Sequence, residues 1–575
     1  MACCHQPRPR GRLPLSEWPG SSISCGARIW RMPTGPTPIA RGDMAMVGRH
    51  EAGPVSMEDG LSPAWVRLRD ATMHQPGVAH ICDISSVVTG IFLPVWRVGA
   101  HDRTGIGRMT PLASLRDAAL YVMAMLALNV SAVVAEDSAS PLTTRLSETA
   151  TARIESDGVA GAVIVLLRDG EGVWTGAFGM ADPQRAVPMT QNALFRVETL
   201  SKPVAAWGAM RLAETGRLDL YAPVDVCLTR WRLPEGADLI TPRALLSHSA
   251  GLGLGDYAAR FPPEGPRPGL PEHIAQDFGM IAAPGTGFSY SDTGYNLLEL
   301  VIEDCTSEDF AALMGREVLS PLGMTGASFD WTGADMPVGH DLRGHPVAAY
   351  VYPGRASGGL HATAADIARF AAAGMEGAER SVLSPEGVAS LQRPEVAVDG
   401  LFAFAADGYA LGHFTETLSD GRHAVWHGGQ GYGWMSHVHM VPETGDGIVI
   451  LSNSQRAWPL FAALLRDWSD SIGVAPVGMA RVLLAERAAR LAIGLALAVG
   501  LLALRSACVH RRPRALRIAA GIAAAALIGW PFWAAAQTYL FLFSILPGLW
   551  PWLGGASAFA GIGLACIALM PERGQ

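Results

Sequence analysis

The residues best suited to covalent chemistry lie in the segment from Phe195 to Pro203. Thr199 precedes Lys202 by three positions, and Lys202 is the only lysine among 44 basic residues. Positions i and i+3 of a helix share a face, so the amine can reach the hydroxyl. A hydroxyl nucleophile needs a nearby base, and a lysine, unlike an arginine, can lose its proton. The spacing therefore indicates a nucleophile and its base. The alternatives are an N-capping threonine and a lysine left by chance.

Two histidines could act as metal ligands. His437 and His439 alternate along a predicted strand and therefore share a face. No third ligand is apparent beside them, and the eight cysteines form no C-x-x-C pair. We therefore predict neither a metal site nor a cofactor. Cys227 and Cys305 are either a disulfide pair in an exported domain or two buried free thiols.

Six ordered segments between residues 153 and 453 resemble the serine β-lactamase and penicillin-binding-protein superfamily. The likeness is to its β-lactamase-related family, the class C, D-aminopeptidase and esterase-like branch. The segments are F-R-V-E-T-L-S-K at 195–202, G-R-L-D-L-Y-A-P-V at 216–224, T-P-R-A-L-L-S-H-S-A-G-L at 241–252, P-G-T-G-F-S-Y-S-D-T-G-Y at 284–295, S-G-G-L-H-A-T-A-A-D at 357–366 and W-H-G-G at 426–429. The resemblance implies acyl transfer through a covalent acyl-enzyme, followed by hydrolysis.

The resemblance also implies the roles of three catalytic residues. Thr199 occupies the position of the nucleophile, which is serine in the family. Lys202 would be its base or proton shuttle. Tyr290 would move the proton to and from the leaving group, with Lys202 holding the phenol partly ionised. These titrations would be coupled, so neither group alone is assigned as the base.

Four further residues are implied to bind substrate or to form the oxyanion hole. Asp292, His427, Gly429 and Gln430 occupy the family's binding positions. His427 would line the far wall of the site and orient the substrate. The backbone N–H groups of Thr199 and Gln430 would stabilise the oxyanion.

Two residues depart from the family pattern. Thr199 is a hindered secondary alcohol, and its methyl group could crowd the acylation path. Asp292 replaces an asparagine, so its side chain can accept hydrogen bonds but, when ionised, cannot donate them. An ionised Asp292 beside Lys202 would raise the lysine pKa and oppose its use as a base.

These observations leave two functions open. The first is a hydrolase of an amide or ester, such as a D-amino-acid peptide, a cell-wall fragment or a small ester. The second is a catalytically impaired relative that acts as a peptidoglycan-binding, ligand-binding or sensor protein. Whether Thr199 acts as a nucleophile would distinguish the hydrolase from the binding protein.

The composition indicates that part of the chain lies in a membrane. Of the 575 residues 49% are hydrophobic and 17% are charged, and the mean hydropathy is +0.22. The net charge of −8 excludes nucleic acid as an expected partner. Residues 1–108 are predicted to be unstructured or a mis-assigned start. Residues 109–135 have the layout of a signal peptide, or of an uncleaved N-terminal anchor.

Residues 137–475 are predicted to form one α+β unit with a β-lactamase/transpeptidase-like fold. Strand patterns around 162–167 and 173–176 form a hairpin near its start, and strand patterns return at 424–426, 434–441 and 448–451. The two ends should pair in an antiparallel sheet flanked by helices, with an inserted helical region between them.

Residues 488–571 are predicted to hold about three transmembrane helices, near 488–507, 518–538 and 548–570. Five arginines between Arg505 and Arg517 should lie in the cytoplasm. This places the globular unit in the periplasm or outside the cell, and the C-terminus in the cytoplasm of a bacterium. The expected partners are therefore the inner membrane and a small-molecule or peptide substrate.

Overall fold

The structure, a computed structural model, describes residues 141–256, 259–333, 335–378, 382–510, 512–537 and 542–570. The predicted N-terminal extension and the predicted signal peptide or anchor lie outside the described residues.

The described strands are β1 Gly161–Arg168, β2 Glu171–Asp182, β3 Val187–Pro188, β4 Phe195–Arg196, β5 Gly339–His340, β6 Pro346–Val347, β7 His361–Ala362, β8 Val396–Ala397, β9 Gly408–Tyr409, β10 Phe414–Thr417, β11 His423–Gln430, β12 Met435–Val441 and β13 Asp446–Ser452. The described α-helices are α1 Leu142–Asp157, α2 Ser201–Glu214, α3 Pro242–Leu246, α4 Leu270–Asp277, α5 Asp292–Thr306, α6 Phe310–Met314, α7 Ala364–Ala373, α8 Pro385–Gln392, α9 Trp458–Ser471, α10 Val482–Val509, α11 Arg514–Ala535, α12 Leu542–Ile545 and α13 Trp550–Leu569. Short 3₁₀ turns occur at Glu198–Leu200, Val224–Val226, Phe402–Phe404 and Gly478–Arg481.

A nine-stranded antiparallel sheet runs in the order β3-β2-β1-β13-β12-β11-β10-β9-β8. The N-terminal strand β1 pairs with the C-terminal strand β13, so the two ends of the unit meet as predicted. β1 and β2 are joined at Asp169 and Gly170, both with positive φ. Such a two-residue turn matches the twist of the strands that it joins. The predicted hairpin is thereby confirmed.

Both faces of the sheet are covered, because the buried side chains of β1 alternate between two cores. Val163, Val165 and Leu167 belong to the core that also holds residues of α2 and α7. The side chains between them, such as Ile164, belong to a second core with α1 and α9. The period-two alternation of a strand produces this division. Helices therefore flank the sheet on both sides, as predicted.

The region between β2 and β8 is mainly helical, and a disulfide crosses it. Cys227 and Cys305 are bonded, with their Cα atoms 4.9 Å apart and 78 positions apart in the chain. Of the two alternatives that the sequence leaves open, the structure has the disulfide.

Three C-terminal helices are long and apolar enough to cross a membrane: Gly478–Val509, Arg514–Ala535 and Trp550–Leu569. They correspond to the three predicted spans, although the first begins earlier than expected. Small residues allow α13 to pack closely on α10, where a Cβ on Gly563 would meet the backbone of Gly500.

Candidate active site

Thr199 lies on a tight turn between strand β4 and helix α2. The residue before it, Glu198, has a φ of 53°, a left-handed conformation that non-glycine residues rarely adopt. Thr199 is 6% exposed, and its Oγ1 donates a hydrogen bond to the backbone carbonyl of Gly428 at 2.8 Å. A Cβ on Gly429 would overlap the carbonyl of Val197. The absence of a side chain there lets β11 lie directly against the turn.

Lys202 is fully buried in the first turn of α2. Its Nζ donates to Asp292 Oδ1 at 2.6 Å and to the carbonyl of Ser357 at 2.9 Å. The same Nζ is 5.0 Å from the centroid of the Tyr290 ring. The structure thus brings Lys202, Tyr290 and Asp292 together.

The pKa of Lys202 is lowered from its usual value, because burial penalises the charged amine more than its partners stabilise it. The charge of Asp292 and its hydrogen bond act in the opposite direction, as the sequence predicted. Burial outweighs them, so the net direction is the reverse of the one expected from Asp292 alone. A lowered lysine pKa favours a base.

The hydroxyl of Thr199 and the amine of Lys202 are each engaged with another group. A hydroxyl has one hydrogen to donate, and that of Thr199 points to Gly428. Transfer of this proton to Lys202 therefore requires the O–H to rotate away from the Gly428 carbonyl. The i, i+3 spacing predicted that the Lys202 amine can reach the Thr199 hydroxyl. In this geometry the hydroxyl instead donates to Gly428, and the amine donates to Asp292 and Ser357.

Tyr290 and Asp292 are positioned by the start of α5. Ser291 caps this helix by accepting the N–H of Gly294 at 2.9 Å, and its own N–H donates to Nδ1 of buried His248 at 3.1 Å. The ring of Tyr290 stacks on Phe402. The helix cap and His248 thereby hold the Y-S-D segment against Lys202.

His427 contacts the same backbone carbonyl as Thr199. It is fully buried, and its Nδ1 is 2.8 Å from the Gly428 carbonyl, which also accepts from Thr199. A carbonyl can only accept, so Nδ1 carries the hydrogen and Nε2 accepts from Tyr409 Oη at 3.1 Å. Burial and the charge of Lys202 hold the His427 pKa well below its usual range. Within the described residues His427 lines neither of the two clefts described below, and its predicted contact with substrate stays a prediction.

Thr199 lines a polar cleft whose empty space, together with its opening to solvent, is about 430 Å³. Asp292, Ser357 and Gln430 also line this cleft. The cleft therefore contains Thr199, the predicted nucleophile, together with Asp292 and Ser357, which accept hydrogen bonds from Lys202. It also contains Gln430, whose N–H was predicted to form the oxyanion hole with that of Thr199. Gly429 does not line this cleft among the described residues, and its place is the contact between β11 and the nucleophile turn.

A buried cluster surrounds Glu198, and the sequence did not reveal it. Its carboxylate accepts hydrogen bonds from Arg196 Nε at 3.0 Å, Tyr350 Oη at 2.8 Å and Tyr352 Oη at 2.7 Å. Burial and the Glu198 charge raise the pKa of both tyrosines. The adjacency of Glu198 to Thr199 was the available signal. The two tyrosine partners lie more than 150 positions away and were not evident from spacing.

His437 and His439 lie side by side inside the sheet, with Nε2 and Nδ1 3.4 Å apart. Burial lowers the pKa of His437 to about 3. The described residues contain no group of three or more histidine, cysteine or acidic side chains arranged to hold a metal ion.

A family model described as Beta-lactamase matches residues 146–467, which is more than half of the chain. The chain is 32% identical over 210 residues to the esterase EstB of Burkholderia gladioli, covering 33% of this chain and 52% of the esterase. It thus spans about half the length of that relative. It is 23% identical to a β-lactamase of Pseudomonas fluorescens, covering 52% of this chain and 90% of that protein.

Two solved structures are similar in fold. The octameric penicillin-binding protein homologue of Pyrococcus abyssi superposes with a TM-score of 0.51 at 24% identity, over 58% of this chain and 77% of that chain. The D-amino acid amidase of Ochrobactrum anthropi, complexed with L-phenylalanine, superposes with a TM-score of 0.50 at 22% identity, over 58% of this chain and all of that chain. The predicted fold class is confirmed.

Proposed function

The chain belongs to the β-lactamase family, and we propose that it is a membrane-tethered hydrolase that cleaves an amide or ester through a covalent acyl-enzyme on Thr199. One observation carries this proposal. The only lysine of the chain is buried three positions after Thr199, with a lowered pKa, against two residues that line the cleft of Thr199. A lysine with a lowered pKa loses its proton more readily, and its amine can then accept the proton of a hydroxyl nucleophile.

The reaction begins when Thr199 Oγ1 attacks the carbonyl carbon of the substrate and its proton passes to Lys202. The carbonyl oxygen becomes an oxyanion, which the backbone N–H groups of Thr199 and Gln430 stabilise. Tyr290 carries a proton to the leaving amine or alcohol as its bond to the carbonyl carbon breaks. Water then attacks the acyl-enzyme, which releases the acid and restores the Thr199 hydroxyl.

The substrate class follows from the relatives in part. The similar proteins include an esterase and a D-amino acid amidase. We therefore place the substrate among D-amino-acid peptides, cell-wall fragments and small esters. Asp292 and His427 in the positions of an asparagine and a lysine make penicillin hydrolysis a secondary expectation.

The globular unit is proposed to face the periplasm or the cell exterior. The Cys227–Cys305 disulfide supports an oxidising compartment. The arginines between 505 and 517 support a cytoplasmic loop after the first span, and three spans then leave the C-terminus in the cytoplasm.

The second candidate function is a catalytically impaired relative that binds peptidoglycan or another ligand as a sensor. A specific observation favours it. The Thr199 hydroxyl donates to Gly428 while Lys202 is ion-paired with Asp292, so both groups are held by other partners. The Thr199 methyl group adds hindrance to acylation.

Intact-mass measurement after exposure to a fluorophosphonate, and separately to a penicillin, tests the proposal. The full chain in detergent should gain one adduct, and the T199A variant should gain none. The T199S variant controls for the competence of the remaining site. If neither the native chain nor T199S forms an adduct or hydrolyses an ester, the hydrolase is rejected in favour of the binding protein.

A further inference from the structure

We propose that an apolar cleft beside the catalytic cleft receives the acyl chain of a membrane-resident amphiphile, so that the substrate is a long-chain ester or amide. This inference rests on the proposed hydrolase, keeps its ester or amide chemistry, and extends its substrate from small esters to those with a long acyl chain. The reacting carbonyl would lie at Thr199, and the chain would extend from there into the apolar cleft.

The empty space of the apolar cleft, together with its opening to solvent, is about 690 Å³. Its walls include the aromatic rings of Phe402, Phe414 and Trp426. Gln430 lines both this cleft and the polar cleft of Thr199. A ligand that lies across Gln430 therefore meets charged and hydroxyl groups at one end and apolar rings at the other. This division of polarity matches an amphiphile.

The segments that lead into the membrane complete the apolar cleft. Met479 and Val482 line it at the start of the first apolar helix, and Ile545 lines it from the connection between α11 and α13. The uncharged stretch of α10 begins at Leu491, nine residues after Val482. At 1.5 Å per residue this separates the cleft from the apolar span by about 13 Å.

Several contacts hold these segments to the globular unit. Arg153 of α1 forms an ion pair with Glu486 of α10 at 3.1 Å. Leu546, next to Ile545, is 3% exposed within the core that includes α1 and α9. The cleft is thus fixed at the membrane-facing end of the unit.

The rim of the cleft exposes large apolar side chains. Leu401 is 51% exposed and Phe404 is 44% exposed, and both line the cleft. The backbone carbonyl of Phe404 accepts a hydrogen bond from Arg481, just before α10, at 2.9 Å. Apolar side chains that are exposed beside a membrane-entering helix are suited to contact the lipid interface. An acyl chain that leaves the bilayer would meet this apolar rim on its way into the cleft.

The test measures kcat/KM for p-nitrophenyl esters of two to twelve carbons, with the full chain reconstituted in lipid nanodiscs. We expect an increase of about threefold to fourfold per added methylene until the cleft is filled. Leu401→Asp should lower kcat/KM for the decanoyl ester about tenfold and change the acetyl ester less than twofold. The matched control is Leu239→Asp, because Leu239 is 74% exposed and, within the described residues, lines neither cleft.

A second variant, Ile545→Trp, narrows the cleft from the membrane side and should shorten the longest ester accepted. Equal kcat/KM for all chain lengths would overturn the acyl-chain proposal and leave the hydrolase intact. An unchanged chain-length profile in both Leu401→Asp and Ile545→Trp would also overturn it. A preference for the decanoyl ester dissolved in water over the same ester embedded in the nanodisc would overturn the membrane source.

A binding measurement separates this inference from the proposed hydrolase. A dansyl-labelled decanoyl amide, which reports an apolar environment by its fluorescence, is titrated against the nanodisc-bound chain. If no ester is hydrolysed but the probe binds, and Leu401→Asp weakens its binding about tenfold while Leu239→Asp does not, the hydrolase fails and the acyl-chain site stands. Equal probe binding by the native chain and Leu401→Asp rejects the site.

Discussion

The two clefts that meet at Gln430 are built in opposite ways. The polar cleft depends on buried charged groups, each held by a partner, such as the ion pair of Lys202 with Asp292. The apolar cleft depends on stacked rings, such as Tyr290 on Phe402 and Phe414 on Trp426. Losing one partner of a buried ion pair leaves an uncompensated charge, whereas a missing ring leaves a cavity whose effect is graded. Substitutions in the polar cleft should therefore act on chemistry more sharply than those in the apolar cleft.

The largest effect is expected from Lys202→Met, which removes the base. General-base catalysis contributes about 10² to 10⁴ in rate, so kcat/KM for any ester should fall by that factor. The Lys202→Arg variant should lose as much kcat/KM, because a guanidinium cannot lose its proton in a protein. Stopped-flow and steady-state assays measure the loss, and circular dichroism checks the fold. A Lys202→Arg variant with native activity would contradict a proton-accepting role.

Thr199→Ser should raise the acylation rate by about tenfold, because it removes a methyl group from a close-packed nucleophile. About 1.4 kcal/mol of relieved hindrance gives this factor. Single-turnover labelling by the fluorophosphonate measures the acylation rate. Ser201→Thr is not a suitable control, because Ser201 Oγ donates a hydrogen bond to the Glu198 carbonyl. The matched control is Thr215→Ser, at the end of α2 and away from both clefts. A Thr199→Ser variant that acylates no faster would show that hindrance is not the limitation.

Asp292→Asn should move the pH profile of kcat/KM toward lower pH. The active form of Lys202 is the neutral amine, so activity rises as pH rises through its pKa. The charge of Asp292 raises this pKa against the lowering effect of burial. Removing the charge should therefore shift the rising limb to lower pH. A limb that stays in place, or moves to higher pH, would contradict the assignment of Lys202 as the titrating base.

Gly429→Ala should destabilise the fold, because a Cβ at this position overlaps the Val197 carbonyl and the Ser436 hydroxyl. Overpacking of this kind costs about 1–3 kcal/mol, and it should also displace the Gly428 carbonyl that accepts from Thr199. Thermal unfolding of the full chain in detergent measures the loss. Gly287→Ala is the control, since a Cβ there has nothing within 4 Å. Equal unfolding temperatures for the two variants would refute the close approach.

The smallest effect is expected from Trp458→Phe, which removes a hydrogen bond to Gln430, the residue that lines both clefts. The Trp458 indole donates to Gln430 Oε1 at 3.0 Å, and losing one such bond costs about 1 kcal/mol. We expect kcat/KM to fall two- to fivefold. Trp468→Phe is the control, because its indole nitrogen has no hydrogen-bond partner among the described residues. The two variants should differ in kcat/KM, and equal values would indicate that the bond does not position Gln430.

The elements predicted best are those whose signals are local. The helix implied by the i, i+3 argument for Lys202 is observed at Ser201–Glu214, and Gly216 follows it with a φ of 70°. The strands predicted at 424–426, 434–441 and 448–451 are observed within longer or shifted bounds. The three apolar helices of the tail were evident from uncharged runs alone. Periodicity, turn residues and hydropathy act over a few neighbouring positions, so one sequence contains them.

The site itself was predicted less completely, because its geometry depends on distant partners. The residues in the nucleophile and lysine positions could be identified from spacing and resemblance. The hydrogen bond from Thr199 to the carbonyl of Gly428, 229 positions away, could not be identified in this way. The net direction of the Lys202 pKa shift could not be predicted from the sequence either, because burial outweighs the effect of the Asp292 charge.

By itself the sequence determined the local elements, the family likeness and the presence of apolar helices, because each depends on residue types at short spacing. Only the tertiary structure decided which groups surround Thr199 and that Ile545 lines the apolar cleft. It also decided that His427 shares the Gly428 carbonyl with Thr199 and, among the described residues, lines neither cleft. These facts depend on packing between segments hundreds of positions apart. Sequence periodicity does not indicate which distant segments pack together, because this packing depends on the shapes and polarities of the surfaces in contact.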